Sequence, residues 1–437
     1  MAKLALLGGE KTNPRGHKKY PVLIQADRDA VNRVLDREVF WGIYGPEISG
    51  LEEEWRQYIG TKYALSCNSG TAALHMAVAA AGVKPGDQVI TASLTFVASA
   101  LCALYQNAIP VFVDVDPRTF CLDSKKLEAK INEKTKAIIP VDLHGMACDM
   151  DEINDIAKKY NIPVIADSCQ SHGALYKGRK VGTLAEMSVF SLNGLKNLEC
   201  GDGGLFNTDH PEYFDKANQI RIFGEVIKKD IPREYNSAEI GWMYRMLEIP
   251  AAYARSKLTR LDDDNAVRVR NAEYLTKGIK DLPGLTTPYI PGDRTSVYHY
   301  YRIRFDPAKL GLKISPNEFR TRIQKALQSE GAAAGRWQTR PVQKQILFLN
   351  KTGYGYGCPW SCPHGEGKTV QYSDEDCMVT QQILNDSITF YDPIYPPNGI
   401  ELMDRYIAAF KKIWENMDEV LDYKLDPNDP ILGSREA

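Results

Sequence analysis

The stretch from Ala166 to Gly204, ADSCQSHGALYKGRKVGTLAEMSVFSLNGLKNLECGDGG, constrains the fold more than any other part of the chain. It closes an apolar run, Ile162-Pro163-Val164-Ile165-Ala166, on a carboxylate, Asp167, as a buried parallel strand does at its C-terminal end. A Gly-rich crossing follows, then a second short apolar run from Met187 to Phe190. A turn closed by Gly201, Gly203 and Gly204 then presents one lysine, Lys196. Upstream, short apolar runs alternate with helical patterns. Ala64–Ser66, Gln88–Thr91, Val111–Val115 and Lys136–Val141 read as strands, and 72–81 and 149–161 as helices. That alternation, from about 64 to 204, specifies α/β architecture with a mostly parallel sheet covered on both faces. Ligands of such sheets sit beyond the strand C-termini, where Phe96, His144, Asp167 and Gln170 all fall.

An aspartate at a strand end and a lysine after the next strand suit pyridoxal 5'-phosphate (PLP). The amine forms the Schiff base and the carboxylate keeps the pyridine nitrogen protonated. Taken alone, the same two residues serve equally as a helix cap and a solvated surface cation. The flanking letters decide between these readings. Ala166 to Ala174, Ser191-Leu192-Asn193-Gly194-Leu195-Lys196-Asn197-Leu198 and Gly201-Asp202-Gly203-Gly204 closely resemble the signature of the DegT/StrS-type sugar and cyclitol aminotransferases. These are fold type I PLP enzymes, and the resemblance covers roughly residues 20 to 260.

The resemblance implies a large PLP-binding domain with a mostly parallel sheet and a smaller C-terminal α+β domain. The boundaries are placed at 1–25 for an N-terminal arm, 26–275 for the large domain and 276–437 for the small one, with an insert at about 350–390. Lys196 and Asp167 are the implied catalytic pair. Gly70 and Thr71, in the turn Asn68-Ser69-Gly70-Thr71, match the family's phosphate loop; such a turn before a helix is also an anion site on its own physics, or a plain N-cap. Phe96 matches the aromatic that stacks on the ring, Gln170 the contact to the ring hydroxyl, and Ser191 a phosphate contact. Substrate contacts are expected from His172, Tyr44, Arg245, Trp337 and His364. In the segment Ile240 to Met246, which reaches the neighbouring subunit in the family, Met243 stands where asparagine is usual. A thioether cannot donate to phosphate as an amide does.

The implied reaction takes an amino group from glutamate or glutamine to a keto-sugar or keto-cyclitol, in secondary-metabolite or surface-sugar biosynthesis, within a homodimer whose active sites lie at the interface. Two alternatives stay open: other PLP chemistry on the same fold, such as decarboxylation, elimination or oxidation, and a non-catalytic PLP- or sugar-binding regulator. Charge is nearly balanced, with 54 basic and 56 acidic residues among 437, which gives no basis for nucleic acid or an anionic membrane as a partner. No apolar window is long enough for a membrane span, and a cytoplasmic location is expected. The nine cysteines are scattered through apolar runs as reduced thiols would be. Cys358, Cys362, His364 and Cys377 lack the paired spacing of a zinc site, so no metal is expected. The Pro- and aromatic-rich insert instead suggests a substrate-side lid using Trp360, His364 and Tyr372.

Overall fold

The structure, a computed structural model, describes residues 2–40, 42–43, 45–227, 232–363 and 370–426. The expected contacts Tyr44 and His364 lie outside the described residues. The strands are β1 (Tyr63–Cys67), β2 (Gln88–Ala92), β3 (Ile109–Val113), β4 (Thr135–Ile139), β5 (Ile165–Asp167), the short hairpin β6 (Leu175–Tyr176) and β7 (Arg179–Lys180), β8 (Met187–Ser191) and β9 (Gly204–Thr208). One ladder runs β3-β2-β4 and another β5-β8-β9-β1. Parallel bridges Ile138–Val164 and Val141–Asp167 join them through β4 and β5. Within this sheet only β9 is antiparallel to its neighbours, β1 and β8.

Alternate residues along each strand enter separate cores, because side chains point to opposite faces with a period of two. Ile138, Ala166, Phe190 and Leu205 join Trp55, Met150 and Ile153 on one face. Ala137, Ile139, Ile165, Val189 and Phe206 meet the helix Gly70–Ala80 on the other. That helix is almost all small and apolar, so it lies close to the sheet and its N-terminus is aimed at the strand ends.

A second core surrounds an antiparallel sheet, β10 (Leu285–Thr286), β11 (Tyr301–Phe305) and β12 (Ser387–Phe390), in the order β10-β11-β12. The helices Pro316–Ser329 and Ile400–Glu415 cover it. The helix Leu261–Ile279 runs between the cores: Leu261 packs in the first, and Ala272, Leu275 and Ile279 in the second. Leu4 and Tyr20 of the N-terminal arm also belong to the second core. Buried Glu330 accepts the N–H groups of Ala5 and Thr12 at 2.8 and 3.0 Å and pairs with Lys412.

Two expectations about the insert change. Residues 387–390 are strand β12, not insert, and pair with β11. The aromatic residues before them do not form a lid over substrate. Trp360, 1% exposed, and Tyr372 pack with Phe348 against Phe112 of β3. Trp360 Nε1 donates to the Tyr372 hydroxyl at 2.8 Å, and that hydroxyl donates to Pro110 O at 3.1 Å. The reason is the position of β3 at the sheet edge, where uncovered backbone groups invite pairing with another chain. Trp360→Ala removes the centre of this cover; unfolding in urea is expected to show a loss of about 3–5 kcal/mol, with a lowered denaturation midpoint.

Candidate active site

The site forms where β4, β5 and β8 end. Asp167, 5% exposed, closes β5 and accepts a hydrogen bond from Ser99 Oγ at 2.7 Å and one from the Cys169 N–H at 3.2 Å. Among the described residues no cation pairs with it. Ser99 stands in the first turn of the helix Ala98–Tyr105 and also reaches Phe96 O at 3.2 Å, which ties Asp167 to the loop carrying Phe96. The Phe96 side chain is 56% exposed, unusual for a large aromatic beside buried strand ends.

The turn before the helix Gly70–Ala80 is pressed against β8. A Cβ on Gly70 would lie 2.7 Å from Ser191 Cβ and 3.2 Å from Cys169 Sγ. The Ser69 hydroxyl accepts the Ala72 N–H, and Ser69 O that of Ala73. The amides of Gly70 and Thr71 have no intrahelical acceptor, as at any helix start. Asn68 donates from its N–H to Tyr244 O and from its side chain to Met243 O, so the 243–245 segment carrying Arg245 borders this turn. The Met243 side chain itself is half exposed.

Lys196 lies in the loop joining β8 to β9, with its N–H on Asn193 O at 2.8 Å. The backbone on either side is clamped. Tyr391 donates to Leu195 O, and Tyr20 to Asn197 O at 3.1 Å. The buried Asn197 side chain donates to Asn265 and to Val297 O and meets His299 Nδ1 at 3.2 Å. Burial draws the Lys196 amine below the ordinary lysine range, against the opposing pull of Cys169 and Asp167.

Over β4, the turn Leu143–Gly145 holds His144 at a φ of 58° and Gly145 at 103°. Residues 297–299 cross Gly145 so closely that a Cβ there would meet Tyr298 N at 2.7 Å. His299 donates its N–H to His144 O and Val297 its N–H to Gly145 O. His144 N–H in turn donates to Gln170 Oε1 at 2.9 Å, which fixes the amide so that its NH2 end faces the other way. The Trp337 ring lies 5.2 Å from that of His144 and 5.5 Å from that of Tyr300, and Tyr300 also meets His299 and Tyr391. Gly70, Thr71, Phe96, Asp167, Gln170, Ser191 and Lys196 thus gather around one site, with Trp337 on its small-domain wall.

His172 does not fit its expected role. It is fully buried, its ring lies between Trp55 and Phe190, and its Nε2 is on Ser191 O at 2.9 Å. It supports the strand end that carries Ser191 from behind and has no face toward a substrate. Ser99, His299, Tyr300, Arg302 and Tyr391 escaped the sequence reading. Only Arg302 left a signal, as one of two charges, with Arg304, inside a strand of alternating apolar residues.

Residues 21–362 match the DegT/DnrJ/EryC1/StrS aminotransferase family. The GDP-perosamine synthase of Caulobacter vibrioides is 38% identical over 292 residues, 67% of this chain and 77% of that protein. The L-glutamine:scyllo-inosose aminotransferase of Streptomyces griseus is 36% identical over 371 residues, 83% of this chain and 85% of its own. The crystal structure of S. venezuelae DesV in complex with a ketimine intermediate superposes with a TM-score of 0.76 at 27% identity, covering 92% of this chain and 95% of that one. The chain belongs to the DegT/DnrJ/EryC1/StrS aminotransferase family, and it is an aminotransferase.

Four buried histidines give the fold a pH dependence. Burial draws His75 down to about 4 and His172 to about 3, the latter with help from Lys196; His144 and His299 also lie well below the ordinary histidine range, chiefly through burial. The native state keeps them neutral, whereas the unfolded chain takes up protons near pH 6.5. Their stabilising contribution is therefore present above about 6.5 and lost as pH falls, by about 1.4 kcal/mol per pH unit for each group. Denaturation between pH 7.5 and 5 is expected to show stability falling with pH, and His172→Phe to flatten that slope by close to one proton.

Proposed function

We propose that the protein is a PLP-dependent aminotransferase that moves an amino group from glutamate or glutamine to a keto-sugar or keto-cyclitol. One observation carries this reading: a buried carboxylate with, among the described residues, no cation within ion-pair distance and a partly exposed lysine of lowered basicity share a site with the start of a helix. The residues present suit the cofactor. Asp167 lacks the positive partner that a protonated pyridine nitrogen supplies, as a buried carboxylate requires. The Gly70 and Thr71 amides, with the Ser191 hydroxyl, suit a phosphate at the positive end of the helix dipole. The exposed Phe96 face suits a ring, and the Gln170 NH2 a ring oxygen.

When bound, the cofactor supplies the electron sink and carries the amino group between the two substrates. Lys196 is the group that holds and moves a proton at the donor carbon, and a lowered amine basicity brings it closer to the working pH of a general base. Asp167 keeps the proton on the ring nitrogen. The aromatic wall of Tyr300, Trp337 and Tyr391 keeps water from the reacting atoms. The S. griseus relative is named for L-glutamine and scyllo-inosose, and the C. vibrioides relative for a nucleotide-linked amino sugar; both match this choice of substrates.

The proposal includes a homodimer with sites at the interface, since Val226, Tyr235, Ile240 and Leu247, at 66, 76, 77 and 55% exposed, put large apolar surface on the segments flanking Met243 and Tyr244, which border the turn before Gly70. It places the large domain at 26–275 and the small one at 276–437, and the protein in the cytoplasm. Among the described residues no helix is long and apolar enough to cross a membrane.

Purified protein is expected to show a yellow absorbance band that glutamate or glutamine bleaches and that a keto-sugar restores. In Lys196→Ala the cofactor is expected to bind without a covalent link and turnover to vanish. A lysine adduct trapped by reduction in that variant would refute the assignment of Lys196.

A further inference from the structure

Strand β11 turns Tyr301, Ile303 and Phe305 into the second core and leaves Arg302 and Arg304 on the opposite face. Arg304 is paired, with two hydrogen bonds to Asp386. Arg302 is not. It is 2% exposed, and its hydrogen bonds run to neutral acceptors only: His144 Nε2 at 2.9 Å, Ser387 Oγ at 2.5 Å and Trp337 O at 2.9 Å. Among the described residues no carboxylate lies within ion-pair distance of it. A guanidinium carries five N–H donors and keeps its charge in almost any setting, so burying one beside neutral groups alone is costly. Burial pushes Arg302 down to about 9 even so. Arg336 adds a second positive charge within electrostatic reach of Arg302, and its buried Nε lacks a partner.

His144 supplies an independent sign. Arg302 can only donate, so His144 Nε2 must accept, and the neutral ring then carries its proton on Nδ1. That nitrogen is buried and has no hydrogen-bond partner, in a residue 93% buried by its 7% exposure. An N–H without an acceptor and a guanidinium whose nearest carboxylate influence, Asp386, is held by Arg304 therefore stand side by side. Both adjoin the reacting site: His144 N–H holds Gln170, and His299, packed on Tyr300, lies within electrostatic range of both Lys196 and His144.

We propose that Arg302 and His144 receive a carboxylate of the amino-donor substrate. The guanidinium supplies the charge, the imidazole Nδ1–H a further hydrogen bond, and Tyr300 and Trp337 the apolar walls that strengthen both by excluding water. The assignment rests on the transaminase reading and deepens it, because it names what orients the donor's amine over Lys196. It also predicts selectivity: a primary amine without a carboxylate gains nothing from this pair.

The test uses the holoenzyme and the variants Arg302→Gln and His144→Phe. The donor's dissociation constant and limiting rate are read from bleaching of the absorbance band by glutamate and glutamine. Calorimetry with glutarate, a dicarboxylate without an amine, reads the same site without any reaction. Arg302→Gln is expected to weaken both donor and glutarate by about 10- to 100-fold, and His144→Phe by about 3- to 10-fold. The limiting bleaching rate should change far less than either constant, a split that general damage to the fold does not produce. Should Arg302→Gln fail to fold, His144→Phe, whose ring replaces one already packed among Phe120, Tyr300 and Trp337, carries the test. A wild-type enzyme bleached by the donor whose folded variants share its constants overturns the carboxylate site alone. A wild-type protein that no amino acid bleaches overturns the transaminase reading and this assignment with it.

Discussion

The Asp167 carboxylate is buried at the end of β5 with one hydroxyl and one amide as its hydrogen-bond donors and, among the described residues, no cation within ion-pair distance. An ionised group in a low-dielectric setting is costly without a counter-charge. Much of the surrounding structure bears on that one group. The helix that follows β2 brings Ser99 to it, the loop after β8 brings Lys196 into its field, and the parallel order of β4, β5 and β8 makes all these elements end on one side. A sheet with a different order would scatter them. In physical terms the fold gathers a buried carboxylate, a hydroxyl and a lysine at the ends of the parallel strands.

The parts of this arrangement that depend on neighbouring letters were readable in the sequence. Asp167, Gln170, Ser191 and Lys196 sit within one short stretch whose turns and strands are set by local glycines and apolar runs, and the Ser69-Gly70-Thr71 turn announces a helix start by composition alone. What was not readable depends on partners far along the chain. His172 follows Gln170 by two residues, yet its ring goes into the core, because a tight turn after the strand decides which way each side chain points. Arg302 acquires meaning only beside His144, 158 residues away. The insert's aromatics looked like a lid because sequence pattern cannot tell that β3 is an edge; the three-dimensional strand order made covering that edge the more pressing task.

The two cores are not joined by a helix alone. Residues 297–299 pass over Gly145 at backbone contact, which only a residue without a Cβ and with a positive φ allows. This crossing turns the strand that carries Arg302 toward the end of β4 and so sets the small-domain wall of the site. Asp114, at the end of β3, makes a second tie by accepting the N–H groups of Val379 and Thr380, at the start of the helix that leads into β12. The aromatic wall is therefore held from both ends and is not merely draped over the strand termini.

The clamp on the lysine loop has a consequence for how the molecule comes apart. Tyr20, Tyr391 and Tyr395 lie outside the parallel sheet, in or beside the second core, yet their hydroxyls grip the peptide groups and side chain flanking Lys196. Local opening of the second core removes these three hydroxyls from the lysine loop in one event, leaving it the bonds of Asn197 to Asn265 and Val297 O. The Lys196 loop is thus tied to the same cooperative unit as the second core. An amide-exchange map would find the loop protected to the depth of that distant core, and not to the shallow depth usual for a connection at the end of two strands.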